Sequence, residues 1–121
     1  MTTQGIEHIY VETHNWGKAA AFWQALGFTL EFDTDHGSGS FVAPNGTRLF
    51  LAEQSPEDPL GMAVYLGVSG GGVTPPDSVD VVFDWTPTHW GTQVMTVRDP
   101  DGRHFRLEAP LADGESSGLA R

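Results

Sequence analysis

The chain has 121 residues, of which six are Lys or Arg and sixteen are Asp or Glu, so its formal net charge is −10. This charge repels a phosphate backbone and excludes nucleic acid as an expected partner, whereas it would attract a cationic small molecule. No apolar stretch approaches the roughly 20 residues that span a bilayer, and the N-terminus lacks a signal peptide, so we predict a cytoplasmic protein without a membrane partner. The absence of cysteine excludes disulfides and thiolate chemistry.

The first half of the chain is predicted to form a strand, a helix and three further strands. The helix is expected from Trp16 to Leu26, with Asn15 as N-cap and Gly27 as the stop. Within it, Ala19, Phe22 and Leu26 recur at helical spacing and are expected to pack on the sheet. Strands are predicted at residues 8–12, 28–33, 40–44 and 48–53, the last two joined by an Asn45-Gly46 hairpin turn.

The second half repeats this pattern with one element missing. A strand at residues 63–68 is followed by residues 69–78, whose three glycines and two prolines disfavour a helix. A strand at 79–85 and a hairpin at 90–110, which turns at Asp99-Pro100-Asp101-Gly102, complete the repeat. We therefore predict an α+β fold with two tandem modules, about 5–54 and 62–110, in a single domain 1–111. Residues 112–121 are predicted to be a disordered tail.

Period-2 alternation gives four of the predicted strands one aliphatic face and one polar and aromatic face. A curled mixed sheet around a cleft fits this pattern, and a plain antiparallel sheet with one wet face is the alternative. Trp16 and Trp23 are expected to pack, while Trp85 and Trp90 fit packing or ligand contact equally well. The candidate ligand-binding residues are those of the polar face with one loop tryptophan: His8, Tyr10, Glu12, Phe50, Tyr65, Trp90, His104, Arg106 and Glu108.

Several motifs in these positions resemble the vicinal oxygen chelate superfamily of glyoxalase, bleomycin-resistance and extradiol dioxygenase proteins. They are EHIYVE, the helix end AFWQALGF, LFLAE and the final WGTQVMTVRDPDGRHFRLEAP. The resemblance implies that metal ligands, where a member has them, stand at the positions of His8, Phe50, Ala63 and Arg106. Only His8 among these four can bind a metal ion. We therefore expect no metal and no cofactor, as in the bleomycin-resistance-like members that only bind.

The leading hypothesis from the sequence is a protein that binds and sequesters a planar, aromatic or cationic drug or natural product without transforming it. One alternative is a metal-dependent lyase, isomerase or dioxygenase that uses His8, Glu108 and a third ligand such as His104. The other is metal-free acid/base catalysis by His8 and His104.

Two structural expectations follow from the same patterns. Arg106 is expected to pair with a carboxylate, either Glu108 or Glu12, because an unpaired buried guanidinium is costly. The chain is also expected to form a homodimer, since residues 69–78 cannot provide a helix over Val64, Leu66 and Val68.

Overall fold

A computed structural model describes residues 1–70 and 73–111 of the chain; the predicted disordered tail lies outside these residues. The elements in chain order are β1 (Ile6–Thr13), α1 (Trp16–Ala25), β2 (Thr29–Asp33), β3 (Ser38–Val42), β4 (Arg48–Glu53), β5 (Met62–Gly67), β6 (Asp80–Pro87), β7 (Thr92–Arg98) and β8 (His104–Pro110).

The strands form a mixed sheet in the order β2-β3-β4-β1-β5-β8-β7-β6. This sheet and the single described helix confirm the predicted α+β class. Residues 73–79, where a second covering helix would end, contain no helix, as their composition predicts. No helix in the described part of the chain is long and apolar enough to cross a membrane.

The chain divides into two compact units. The first unit is His8–Val64, and the second unit consists of Met1–Glu7 and the described residues from Tyr65 onward. In the first unit β1 runs parallel to β4, and β3 is antiparallel to both β2 and β4. In the second unit β5 runs parallel to β8, and β7 is antiparallel to both β6 and β8. The two units thus repeat the same strand pairing, as the predicted modules require.

Helix α1 begins where the sequence predicts. The side chain of Asn15 accepts a hydrogen bond from the amide of Lys18 at 3.0 Å, and a carboxylate oxygen of Glu53 accepts one from the amide of Trp16 at 3.0 Å. These two acceptors satisfy backbone N–H groups that the first turn leaves without partners. Gly27 follows the helix with φ +104, a conformation that glycine adopts at little cost.

The face of α1 that packs on the sheet differs from the predicted one. Ala19 contacts the core, but Phe22 and Leu26 are 56% and 60% exposed. Trp16 and Trp23 pack against the core, as predicted for these two residues. The larger indole rings fill the space over the strands, so the helix turns its other apolar edge to solvent. The full core of the first unit is Phe41, Leu49 and Leu51, with Val11, Trp16, Ala19, Ala20, Trp23, Phe28 and Leu30 against it.

Among the described residues, no helix covers the core of the second unit. Val73 and Trp85 pack against a buried cluster that includes Val68 and Leu107, and the Trp85 Nε1–H donates to the carbonyl of Val73 at 2.8 Å. Val73 therefore lies against the core, and Val68 is only 6% exposed. Val68 is thus buried within its own chain, and the predicted homodimer stays a prediction.

The β7–β8 turn confirms the predicted hairpin. Gly102 has φ +89 and donates its amide to the carbonyl of Asp99 at 3.0 Å. The Asp99 carboxylate accepts hydrogen bonds from the amides of Asp101 and Arg103 and from the Arg103 guanidinium. These bonds, led by the Arg103 amide, lower the pKa of Asp99 below its ordinary value.

Candidate functional site

In the first unit, aromatic side chains lie on the strand face opposite the helix. The register pairs Phe32 with Ser40, Ser40 with Phe50, and Phe50 with Tyr10. Directly paired residues share one face of a sheet, so these four form a row across β2, β3, β4 and β1, called here the Phe50 row. The alternating neighbours Leu49 and Leu51 are buried on the other face, which confirms the predicted phase of β4.

The rings of the Phe50 row are half-buried at Tyr10 and Phe50 and exposed at Phe32. The rings of Tyr10 and Phe50 are nearly parallel, with centroids 6.4 Å apart and planes 14° apart. Phe32 reaches Phe50 across the small side chain of Ser40, with centroids 6.4 Å apart, and Phe32 is 53% exposed. A partly exposed aromatic row of this kind provides area on which a planar ligand can stack.

Polar groups fix the edges of the Phe50 row. The Tyr10 hydroxyl donates to one Glu12 oxygen at 3.0 Å, and the other Glu12 oxygen accepts the Gly61 amide at 2.7 Å. Glu31 accepts two hydrogen bonds from the Arg48 guanidinium, at 3.0 and 2.8 Å. The bond from Arg48 lowers the pKa of Glu31. Both carboxylates therefore already have donors within their own unit.

The second unit carries a matching row with one chemical difference. The register pairs Phe83 with Thr96, Thr96 with Arg106, and Arg106 with Tyr65. This Arg106 row crosses β6, β7, β8 and β5, and its alternating neighbours Met95 and Leu107 are buried in the core.

Both rows have an exposed phenylalanine at the edge strand, a hydroxyl residue next to it and a tyrosine at the far end. Phe83 is 66% exposed, and Ser40 and Thr96 are each 7% exposed. The third position is Phe50 in the first unit and Arg106 in the second.

Glu108 lies two residues from Arg106 along β8 and holds an aromatic side chain. The Trp90 Nε1–H donates to Oε2 of Glu108 at 2.8 Å, and the Thr92 hydroxyl donates to the same atom at 2.9 Å. Trp90 stands in the β6–β7 turn, where its amide donates to the hydroxyl of Thr88 at 3.3 Å. Hydrogen bonds thus hold both the backbone amide and the ring nitrogen of Trp90, while 54% of the residue stays exposed.

The predicted carboxylate partner of Arg106 is not found within residues 1–70 and 73–111. Glu108 accepts from Trp90 and Thr92 instead, and residues two apart on a strand are separated by about 6.6 Å along it. Arg106 is half-buried, and no fully buried side-chain nitrogen or oxygen in these residues lacks a partner. The Arg106 guanidinium therefore reaches solvent, where water compensates for the absent carboxylate.

The pKa of the Tyr65 hydroxyl is sensitive to the charges in and beside the Arg106 row. Burial raises the pKa of the Tyr65 hydroxyl above its ordinary value of 10.0; the positive charge of Arg106 opposes this shift and the negative charge of Glu108 adds to it. Both charges therefore act on the same phenol.

A possible metal-binding group differs from the one expected. Glu7, His8 and Glu108 offer three ligand atoms that lie within 4.8 Å of one another. Exposed acidic groups are common without a bound ion, and Oε2 of Glu108 already accepts two hydrogen bonds. His104, the third ligand suggested from the sequence, pairs with Arg98 at the start of β8. It stands four residues from Glu108, about 13 Å along the strand, so it cannot share an ion with that carboxylate.

The sequence missed several residues of the two rows. Phe32 and Phe83 both lie next to register shifts, between Leu30 and Phe32 in β2 and between Val81 and Thr86 in β6. A bulge breaks simple alternation, so period 2 could not assign these rings to a face. Aligning the sequences of the two predicted modules would have placed Phe32 and Phe83 at equivalent positions. The missed residues of the rows are Phe32, Ser40, Phe83 and Thr96, and Glu7 and Thr92 were missed outside the rows.

Known structures share this fold. A glyoxalase/bleomycin resistance protein/dioxygenase superfamily member from Vibrio splendidus 12B01 is 17% identical, with coverage of 89% of this chain and 99% of that chain and a TM-score of 0.58. A protein described as the NAD-dependent benzaldehyde dehydrogenase of Legionella pneumophila is 18% identical, with coverage of 85% and 97% and a TM-score of 0.63.

No protein-family model matches the chain, and no curated protein matches it. Identities this low establish the fold and leave the activity to the site itself. The resemblance predicted from the sequence is confirmed at that level: the chain has the fold of the glyoxalase/bleomycin resistance/dioxygenase superfamily.

Proposed function

We propose that the protein binds a planar aromatic small molecule on the aromatic strand faces that carry the two rows, and that it sequesters the molecule unchanged. The observation that supports this most is the Phe50 row, in which three aromatic rings lie on the strand face of the first unit opposite the helix. Ligand sites are typically apolar and aromatic surfaces with a few placed polar groups. A sequestering protein of this kind protects a cell from a planar antibiotic or carries a metabolite.

Binding is favoured over acid/base catalysis because the polar groups beside the Phe50 row have structural partners. The Tyr10 hydroxyl and the Gly61 amide engage the two oxygens of Glu12. A general base has to be free to take a proton from the substrate. The Glu12 carboxylate instead fixes the ring of Tyr10 and the loop before β5.

A metal-dependent enzyme is the second candidate, and the Glu7, His8 and Glu108 group favours it. Three oxygen or nitrogen ligands with open positions are a minimal catalytic site for a divalent ion. Near-stoichiometric metal in the purified protein, lost in His8→Ala, would support this candidate over sequestration.

Fluorescence titration with planar probes tests the proposed function. Acridine, phenanthridine and naphthalene compounds would be added to the wild-type protein, to Phe50→Ala and to Phe22→Ala. We expect Phe50→Ala to weaken binding about tenfold, since aromatic contacts contribute on the order of 1 kcal/mol. Phe22→Ala is the matched control, because Phe22 is exposed on α1. Equal losses in both variants, or chemical conversion of a bound probe, would contradict the proposal.

A further inference from the structure

The charged side chains in and beside the two rows differ in whether they have hydrogen-bond partners within the protein. Glu12 accepts from Tyr10 and Gly61, and Glu108 accepts from Trp90 and Thr92. The carboxylates of Glu12 and Glu108 therefore already accept hydrogen bonds from donors of the protein itself.

The cationic Arg106 differs from these carboxylates in its hydrogen bonding. Arg106 makes no hydrogen bond or ion pair with the described residues of the chain, and its guanidinium reaches solvent. It occupies a fixed place in the Arg106 row, between Thr96 and Tyr65. A guanidinium has five N–H donors and no acceptor, so this residue can only recognise an acceptor.

Aromatic residues of the same unit lie near Arg106 in the sheet. Phe83 ends the same row with 66% of its surface exposed, and Trp90 is held by the neighbouring Glu108 with 54% exposed. The ring of Tyr65 lies beside Arg106 in the register. A ligand bound here could contact aromatic side chains and accept hydrogen bonds from the Arg106 guanidinium.

We infer that Arg106 determines ligand specificity, and that the class it selects is the planar aromatic carboxylate. This inference rests on the proposed function, because it assumes that an aromatic ligand binds. The two oxygens of a carboxylate match the two parallel N–H donors of a guanidinium, and the attached ring contacts the neighbouring aromatic side chains. The sequence-based expectation of a cationic ligand gives way to an anionic one.

The net charge of −10 does not oppose this choice at close range. Charges farther away than about 8 Å are largely screened at physiological ionic strength. A charge-assisted bidentate pair acts over about 2.8 Å. The overall charge slows the approach of an anion, and Arg106 decides whether it stays bound.

Three naphthalene probes with the same ring separate charge recognition from ring binding. 2-Naphthoate, 2-naphthamide and 2-naphthylmethylammonium would be titrated calorimetrically into the wild-type protein at 0.15 M NaCl. We expect 2-naphthoate to bind about ten- to a hundredfold more tightly than 2-naphthamide, which is the range for hydrogen bonds to charged groups. Arg106→Gln should remove this preference, because it should weaken the binding of 2-naphthoate far more than that of 2-naphthamide.

Arg98→Gln is the matched control for this experiment. Arg98 lies in the same β7–β8 hairpin, but it pairs with Asp80 and should not affect the preference. Arg106→Lys keeps the charge without the planar fork and should retain part of the preference.

The outcomes distinguish the inference from the proposed function. Equal affinity for the three probes, tightest binding of the ammonium probe, or an unchanged preference in Arg106→Gln would overturn the role of Arg106 and leave aromatic binding standing. Failure of all three probes to bind the wild-type protein would overturn both.

Discussion

The indole N–H of Trp90 donates to Oε2 of Glu108 across 2.8 Å. This bond holds an exposed aromatic ring that a turn residue would otherwise leave mobile. Thr92 donates to the same oxygen, so the carboxylate organises the β6–β7 turn from its position in β8.

Removing the Glu108 carboxylate should release Trp90. In protein labelled with 5-fluorotryptophan, Glu108→Ala should narrow the Trp90 fluorine resonance and shift it towards that of the free amino acid. The variant should also lose about 1 kcal/mol of unfolding free energy, the usual contribution of a hydrogen bond. Glu108→Gln keeps an acceptor oxygen and should preserve the resonance, whose assignment comes from Trp90→Phe. An unchanged resonance in Glu108→Ala would show that the turn alone fixes the ring.

The pKa of Tyr65 should lie above its ordinary value of 10.0. The charges of Arg106 and Glu108 should shift this pKa in opposite directions. The variant Tyr10→Phe leaves Tyr65 as the only tyrosine, so absorbance at 295 nm follows its ionisation alone. In this background Arg106→Gln should raise the pKa of Tyr65 further, and Glu108→Gln should lower it.

The sign of the linked stability follows from the same shift. Because the folded state raises the pKa of Tyr65, the unfolded chain loses this proton first as the pH rises. Stability should therefore fall between 10.0 and the raised pKa, and this part of the slope should vanish in Tyr65→Phe. A midpoint at or below 10.0, or no response to Arg106→Gln, would place Tyr65 outside the influence of these groups.

Trp85 should be the main cover of the second core. Trp85→Ala is expected to cost about 3 kcal/mol in urea unfolding, since it removes a large packed ring and the hydrogen bond to Val73. Phe83→Ala, at an exposed site two residues earlier, should change stability by less than about 0.5 kcal/mol. If both variants unfold at the same urea concentration, Trp85 does not cover this core.

Chelation should leave the melting temperature unchanged. The proposed function requires no metal, whereas a metal held by Glu7, His8 and Glu108 would link its binding energy to folding. Thermal unfolding with and without EDTA measures this directly, and His8→Ala serves as a protein lacking one ligand. A clear drop of the wild-type melting temperature in EDTA, absent in His8→Ala, would favour the metal-dependent alternative.

Homodimerisation remains a prediction, with a changed basis. Trp85 already covers Val68, but Val81 and Phe83 on the outer strand β6 are 39% and 66% exposed. Register shifts interrupt β6 and Pro87 ends it, which disfavours pairing of this edge with another strand. We therefore expect a dimer formed through side chains such as Val81, weakened by Val81→Asp. Sedimentation of the wild-type protein as a 13.1 kDa particle at tens of micromolar would exclude it.

The sequence predicted the strands well where alternation and turn residues agreed. In β4, Leu49 and Leu51 are buried as expected, because every second residue must face the core. The Asp99–Gly102 turn likewise has its predicted form, since Asp and Gly satisfy local backbone requirements.

The predictions failed where two patterns competed or where distant residues decided the outcome. Helix α1 contains two apolar stripes, and only packing against Phe41 selects the one with Trp16, whose ring centroid lies 5.9 Å from that of Phe41. The sequence of β8 could not show that Glu108 does not pair with Arg106, because Trp90 and Thr92 bind Glu108 from another part of the chain. Bulges in β2 and β6 hid the rings that complete the two rows.

Chemical-shift mapping with 2-naphthoate tests the central claim, aromatic binding on the strand faces, most directly. Nitrogen-15 spectra of the wild-type protein would be recorded during the titration, and proton spectra would follow the probe itself. We predict amide shifts concentrated in the Phe50 and Arg106 rows, with the probe recovered unchanged after release. Shifts confined to α1, no shifts at millimolar probe, or new resonances from a converted probe would contradict the claim.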